Sequence, residues 1–182
     1  MNVRSGPSSG SGRRLRGGRH RANRGFTLVE IMVVVLIISV LASITVPSFQ
    51  RIQLRSKTTT IVNDFRTFAA AFDVYAQENG AWPAETAAGV VPPEMSVSLN
   101  NTAWQRKTPM GGQYNWGYNQ MHFGTRYQAA IAISATASAP LKLDVAQLTD
   151  LEHVIDGKTQ INWLGGNFHL GTGIIPLYIV QP

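Results

Sequence analysis

The hydrophobic pattern of the chain begins with an apolar run that holds a single charge. From Phe26 to Val46, 21 consecutive residues contain one ionisable side chain, that of Glu30. About 20 apolar residues are enough for an α-helix to cross the hydrocarbon core of a bilayer. Because a lone carboxylate is expensive to bury in lipid, Glu30 is expected to need a positively charged partner or a functional reason.

The pattern after Pro47 is that of an amphipathic helix, which places one apolar stripe on a single face. The helix is predicted to run from Phe26 to about Asn79, where Asn79-Gly80 forms a good stop. Pro47 is expected to kink or locally melt it. The stripe, which should pack against a sheet, consists of Leu54, Ile61, Phe65, Phe68, Phe72 and Tyr75.

The remaining sequence alternates short strand signals with turn residues. Trp82 to Met95 is predicted to be a loop, and Leu143–Val154 a short helix with Asp144 as its N-cap. Gly171-Thr172-Gly173 should join the last two strands in a hairpin. The fold class is therefore predicted to be α+β, one long helix packed on a small antiparallel sheet. The predicted strands are Gln113–Asn119, Tyr127–Ser134, Gly166–Leu170 and Ile174–Val180.

Positive charge is concentrated at the N-terminus. Seven of the 16 basic residues and none of the ten acids precede Phe26. Such a basic segment ahead of an apolar span indicates cytoplasmic retention by the positive-inside rule, so nucleic acid is not expected as a partner despite the high pI. The leader, residues 1–25, has almost no apolar residues to bury and is expected to be disordered.

Gly25-Phe26-Thr27-Leu28-Val29-Glu30, the apolar run and Pro47 closely resemble the N-terminal signature of type IV pilins and type II secretion pseudopilins. The resemblance implies that a prepilin peptidase cuts between Gly25 and Phe26 and methylates the new amino terminus of Phe26. It implies that Glu30, with Thr27 beside it, acts in assembly, where the Glu30 carboxylate faces the Phe26 ammonium of a neighbouring subunit. Pairing removes the cost of two buried charges and sets the register between subunits.

The resemblance also implies a lollipop-shaped pilin fold. Its parts are expected to be a cleaved leader (1–25), a transmembrane and assembly half of the long helix (26–47), an amphipathic half (48–79) and a globular head (80–182). The protein would sit in the bacterial inner membrane as a single-pass protein, its head outside the cytoplasm, and assemble into a fibre. Its partners would be the prepilin peptidase, other copies and related pilins, an inner-membrane assembly platform and membrane lipid.

Two other interpretations of the N-terminal segment stay open at this point. An ordinary secretory signal peptide would be cut after Val40-Leu41-Ala42, although the apolar stretch is longer than a usual signal core and continues into a helical pattern. A plain single-pass anchor is the third possibility, and it leaves both Glu30 and the Gly25-Phe26 junction unexplained.

Little in the head indicates catalysis, so no enzyme activity and no cofactor are expected. The chain has no cysteine, which excludes disulfides and thiolate metal sites, and no serine lies in a Gly-x-Ser-x-Gly elbow. Major pseudopilins carry a calcium loop of clustered acids. No metal is expected here because the acids are too dispersed to form an oxygen cage from one loop; they are Asp144, Asp150, Glu152 and Asp156.

An aromatic and basic region follows in the head. Alternation along Tyr114, Trp116 and Tyr118 favours the buried face of a strand, whereas Trp104 with Arg106 and Lys107 is the better candidate for an exposed ligand contact. The main hypothesis is a pseudopilin of a type II secretion-like pseudopilus. The alternative is a minor pilin of a type IV pilus for adhesion or DNA uptake, with this region as the contact.

Overall fold

A computed structural model of the 182-residue chain describes residues 25–157 and 160–182. The chain divides into two compact units, of which the first ends at Ser43 and the second runs from Ile44 to Pro182. The division falls within helix α1, which spans Leu28–Asn79. The predicted disorder of the leader lies outside the described residues, apart from Gly25.

The two ends of α1 follow from local chemistry. The helix begins at Leu28, two residues later than predicted, directly after Thr27. It ends at Asn79, as predicted, and Gly80 adopts a φ of 70°, a left-handed conformation that glycine reaches without steric cost. The backbone stays α-helical through Pro47, so the chain does not leave the helix there, and the kink stays a prediction.

The second unit contains a four-stranded sheet in the order β1-β2-β4-β3. Neighbouring strands are antiparallel, with a register shift between Ala129 and Ala130 of β2. All four predicted strands are confirmed, and β3 and β4 are joined by the predicted hairpin. The strands are β1 (Gln113–His122), β2 (Thr125–Ser134), β3 (Phe168–Gly171) and β4 (Ile175–Gln181).

Aromatic side chains form the core between α1 and the sheet. Phe72 stacks on Trp116 with ring centroids 3.8 Å apart, and Phe65 stacks on Tyr178 at 5.4 Å. Phe68 is also fully buried. The predicted apolar stripe is thus confirmed over its central part, while its two ends, Leu54 and Tyr75, are half-buried.

Two shorter α-helices complete the second unit, together with a 3-10 turn at Pro93–Met95 at the end of the stretch that was predicted to be a loop. Helix α3 (Val145–Asp156) confirms the predicted helix, and the Asp144 carboxylate caps it by accepting the Ala146 N–H at 2.9 Å. Helix α2 (Asn101–Gln105) was not predicted, since five residues are too few to show a periodic pattern. Asn100 caps α2 by accepting the Ala103 N–H at 3.1 Å.

Truncation of Phe72 tests this packing. Phe72→Ala removes a fully buried ring that stacks on Trp116, and we expect a loss of about 3–5 kcal/mol in the free energy of unfolding. The measurement is denaturant unfolding of the full chain in detergent, followed by tryptophan fluorescence. Phe49→Ala is the matched control, because Phe49 lies on the same helix and is 61% exposed. Equal destabilisation by both substitutions would contradict the packing described.

Candidate assembly site

The Gly25-Phe26 peptide lies in open, non-helical chain. Both residues are exposed and precede the first turn of α1. Apart from its two chain neighbours, no described residue comes within 4 Å of the place where a Cβ on Gly25 would stand. An exposed, non-helical peptide next to a small residue is readily accessible to a peptidase.

Thr27 is the N-cap of α1. Its Oγ1 accepts the backbone N–H of Glu30 at 3.2 Å, and its carbonyl oxygen accepts the N–H of Ile31 at 3.4 Å. Thr27 and Glu30 occupy the first and last positions of the Thr-x-x-Glu pattern that starts many helices. This pattern is visible in the sequence.

The Glu30 carboxylate therefore belongs to the first turn of α1 and is exposed. The unpaired N–H groups at a helix N-terminus carry partial positive charge, which stabilises an acidic side chain in this turn. No ion pair of Glu30 is present in the described part of the chain. A positively charged group from outside the chain can reach it.

Apolar side chains surround the first half of α1, which is long and apolar enough to cross a membrane by length and composition. None of that window is buried within the structure. The hydroxyls of Ser39 and Ser43 donate to the carbonyl oxygens of Val35 and Val40, each at 2.7 Å. These serines therefore satisfy their own donors, which makes them compatible with an apolar environment.

The proposed exposed contact at Trp104 is wrong. Trp104 is fully buried, contacts the rings of Phe68 and Phe72, and donates its indole N–H to the Val90 carbonyl at 3.0 Å. The unpredicted helix α2, capped by Asn100, turns this side chain into the core. Its burial leaves Lys107, which is exposed, without an aromatic partner for a stacking site.

Arg106 instead stabilises the head. Its guanidinium forms an ion pair with Asp64 of α1, and the Tyr114 hydroxyl donates to the same carboxylate oxygen at 2.7 Å. The hydrogen bond to Asp64 raises the pKa of Arg106. Tyr114 and Trp116 are fully buried, as predicted for the inner face of a strand, whereas Tyr118 is 42% exposed.

Acidic side chains of α3 hold a neighbouring loop. Glu152 accepts the N–H of Asn162, and Asp156 accepts those of Asn167 and Phe168 at 2.7 and 3.2 Å. In residues 25–157 and 160–182, no group of three or more His, Asp or Glu side chains is arranged to hold a metal ion.

Comparison with known proteins adds independent findings. Residues 20–46 match the family model of the prokaryotic N-terminal methylation motif. The chain is 42% identical to type II secretion system core protein G of Pseudomonas aeruginosa over 65 residues. These residues cover 36% of this chain and 46% of that protein.

Two further comparisons cover more of the chain. Core protein G of Klebsiella michiganensis is 33% identical over 106 residues, which cover 53% of this chain and 74% of that protein. The structure of the major type IV pilin PilA1 from Clostridium difficile aligns with 71% of this chain and 97% of its own, with a TM-score of 0.48 and 14% identity.

Alkaline pH tests the Asp64–Arg106–Tyr114 cluster. Burial, and then the hydrogen bond to Asp64, raise the pKa of Tyr114, so the folded state holds this proton more tightly than the unfolded chain, where tyrosine titrates near about 10. The resulting stabilisation is fully present below about pH 10 and is lost as the pH rises above that value. Urea unfolding of the wild type should show this loss.

Tyr114→Phe should be less stable at neutral pH by about 1.5–3 kcal/mol, the contribution of a hydrogen bond to a charged group, and should lose less stability at alkaline pH. Tyr118→Phe, on the same strand but exposed, is the control and should behave like the wild type. An unchanged alkaline loss in Tyr114→Phe would contradict the assignment to Tyr114.

Proposed function

The chain belongs to the family of type IV pilins and type II secretion pseudopilins, and we propose that it is a structural subunit of a type II secretion-like pseudopilus. The proposed subunit is processed by a prepilin peptidase and polymerises through the N-terminal half of α1. Because the Pseudomonas relative is covered over only 46% of its length, secretion and its partners are part of this proposal.

The observation that carries the proposal is the uncovered first half of α1 with Glu30 in its first turn. An apolar helix surface of this kind is stable either in lipid or against other apolar helices. Glu30 is stable in either place only when a positive charge lies beside it. An assembly of identical helices with charged amino termini meets both conditions.

We expect the subunit to pass through three steps: insertion, processing and assembly. The chain is inserted as a single-pass protein of the inner membrane with its head outside the cytoplasm. A prepilin peptidase cuts the open Gly25-Phe26 peptide and methylates the amino group of Phe26. An inner-membrane assembly platform then lifts the helix out of the lipid, and Glu30 of one copy pairs with the Phe26 ammonium of the next.

The alternative is a minor pilin for adhesion or DNA uptake, and the described part of the structure does not contain the exposed aromatic and basic contact on which that hypothesis depended. Its proposed contact needed an exposed Trp104 next to Arg106 and Lys107. Trp104 is buried, and Arg106 is engaged with Asp64. The similarity to core protein G over 74% of the Klebsiella relative also favours the pseudopilus.

Intact-mass analysis of the protein from membranes of its own host tests the processing. The expected N-terminal residue is methylated Phe26, because the preceding peptide is exposed and lies ahead of the helix cap. A start at Ser43 would mean secretion by an ordinary signal peptide, and a start at Met1 would mean an uncleaved anchor. Either result would refute the proposed processing.

Substitution of Glu30 tests the assembly. Glu30→Gln should still be cleaved and keep its head folded, yet the yield of sheared fibres should fall at least about ten-fold, since an unpaired ammonium in an apolar surrounding costs well over 1.4 kcal/mol. Ser39→Ala, in the same helix segment, is the matched control and should assemble normally. Normal fibre yield in Glu30→Gln would exclude the proposed role of its charge.

A further inference from the structure

A pocket at the C-terminal end of α1 is lined by an acidic side chain, Asp73, that has no partner among the described residues. The pocket has a volume of about 510 Å³, and Asp73, Gln77, Trp82 and Gln181 are among the residues that line it. Asp73 is half-buried and has neither a hydrogen bond nor an ion pair in the described part of the chain. Burial raises the pKa of Asp73, since the carboxylate is partly desolvated and nothing compensates it.

The surroundings of Asp73 favour a cation. The C-terminal end of a helix carries partial negative charge, and the last turn of α1 contains no basic residue. Glu78 adds an acid in this turn, one turn beyond Asp73. Gln77 and Gln181 can offer amide oxygens to a donor, and the indole of Trp82 provides an aromatic wall of the kind on which a guanidinium stacks.

Positive charges that could pair with Asp73 lie on the same helix, closer to its N-terminus. Arg51, Arg55 and Lys57, here called the basic band, are all exposed, and none has an ion pair in the described residues. Arg51 and Arg55 are four residues apart on one helix face, where like charges repel each other. Arg51 and Arg55 therefore form a positively charged patch that an external acidic group would stabilise, and Lys57 adds a further charge on another side of the helix.

One chain cannot join its own basic band to its own Asp73. The two are separated by 16 to 22 positions along α1, which is about 24 to 33 Å at 1.5 Å per residue. A second, parallel copy that is displaced by that distance brings its basic band to the level of Asp73. Surfaces that complement each other at different levels of one chain generate open-ended, heterologous assembly.

We propose that the Asp73 pocket of one copy receives a basic side chain from the basic band of a second copy displaced along α1. This contact rests on the proposed fibre and adds to it a second electrostatic register, outside the apolar segment. Each copy in the fibre then uses its pocket toward one neighbour and its basic band toward another.

Charge reversal of the full chain in its own host is the test. Asp73→Arg alone, and the triple variant Arg51→Glu, Arg55→Glu and Lys57→Glu, should each reduce fibre yield at least ten-fold. The combined quadruple variant restores complementarity and should recover most of the wild-type yield. Lys107→Glu and Glu94→Arg reverse exposed charges elsewhere on the head and are the matched controls, which should assemble normally.

Cross-linking gives a second measurement that does not depend on charge reversal being tolerated. The chain has no cysteine, so Asp73→Cys with Arg55→Cys supplies the only thiols. A short bismaleimide applied to the fibres should link copy to copy into a ladder of multimers. The pair Asp73→Cys with Lys107→Cys is the control and should give no ladder.

The outcomes separate this contact from the proposed function. A wild-type chain that forms no fibre at all would refute the proposed function itself. Fibres that persist in Asp73→Arg, or a 73–55 cysteine pair that yields no ladder within intact fibres, would overturn the Asp73 contact alone. A quadruple variant that folds and still fails to assemble would mean that another protein or a free cation occupies the pocket, which also overturns it.

Discussion

A half-helix of apolar side chains that the folded chain leaves uncovered is the constraint on which the rest of the protein depends. Residues 26–46 contain one charge. No part of the most apolar 18-residue window of this helix is buried within the structure. Such a surface is stable in lipid or against other apolar helices and nowhere else. Membrane insertion and self-assembly are therefore two solutions to the same physical problem, and in the proposed assembly the Glu30 carboxylate selects neighbours that carry a positive charge.

The second half of α1 has the opposite task, because it supplies one wall of a core. Phe65, Phe68 and Phe72 pack against aromatic rings of the sheet and of α2. Asp64 adds a polar anchor by holding Arg106 and Tyr114. Stacked rings and a shared carboxylate fix the rotation of this helix segment relative to the sheet. In the proposed contact between copies, this fixed rotation holds the exposed charges of the same segment in a defined direction toward a neighbour.

The sequence predicted most of the fold, because its strongest signals are local. A few neighbouring residues are enough to predict several elements. The glycine after Asn79 predicts the end of α1, the aspartate before α3 predicts its start, and the alternation within β1 predicts a strand. The prediction for Trp104 failed because its burial depends on α2, a single helical turn whose only local signal is Asn100. The pairing of Asp64 with Arg106 spans 42 residues, a distance at which a single sequence carries no pattern. The lack of a partner for Asp73 among the described residues likewise depends on side chains that are distant in the sequence.

The hydrogen bonds at Thr27 have a consequence for the timing of events. The cap ties Thr27 to Glu30 and Ile31, so the peptide before Phe26 lies outside the hydrogen-bonded part of the helix. In the proposed processing, cleavage there breaks no helical bond and needs no refolding. It does create an ammonium group at the positive end of a helix, where its own dipole repels it. Processing would then act as a charge switch on an unchanged backbone, converting a subunit at rest in the membrane into one whose amino terminus is stabilised by the carboxylate of another copy.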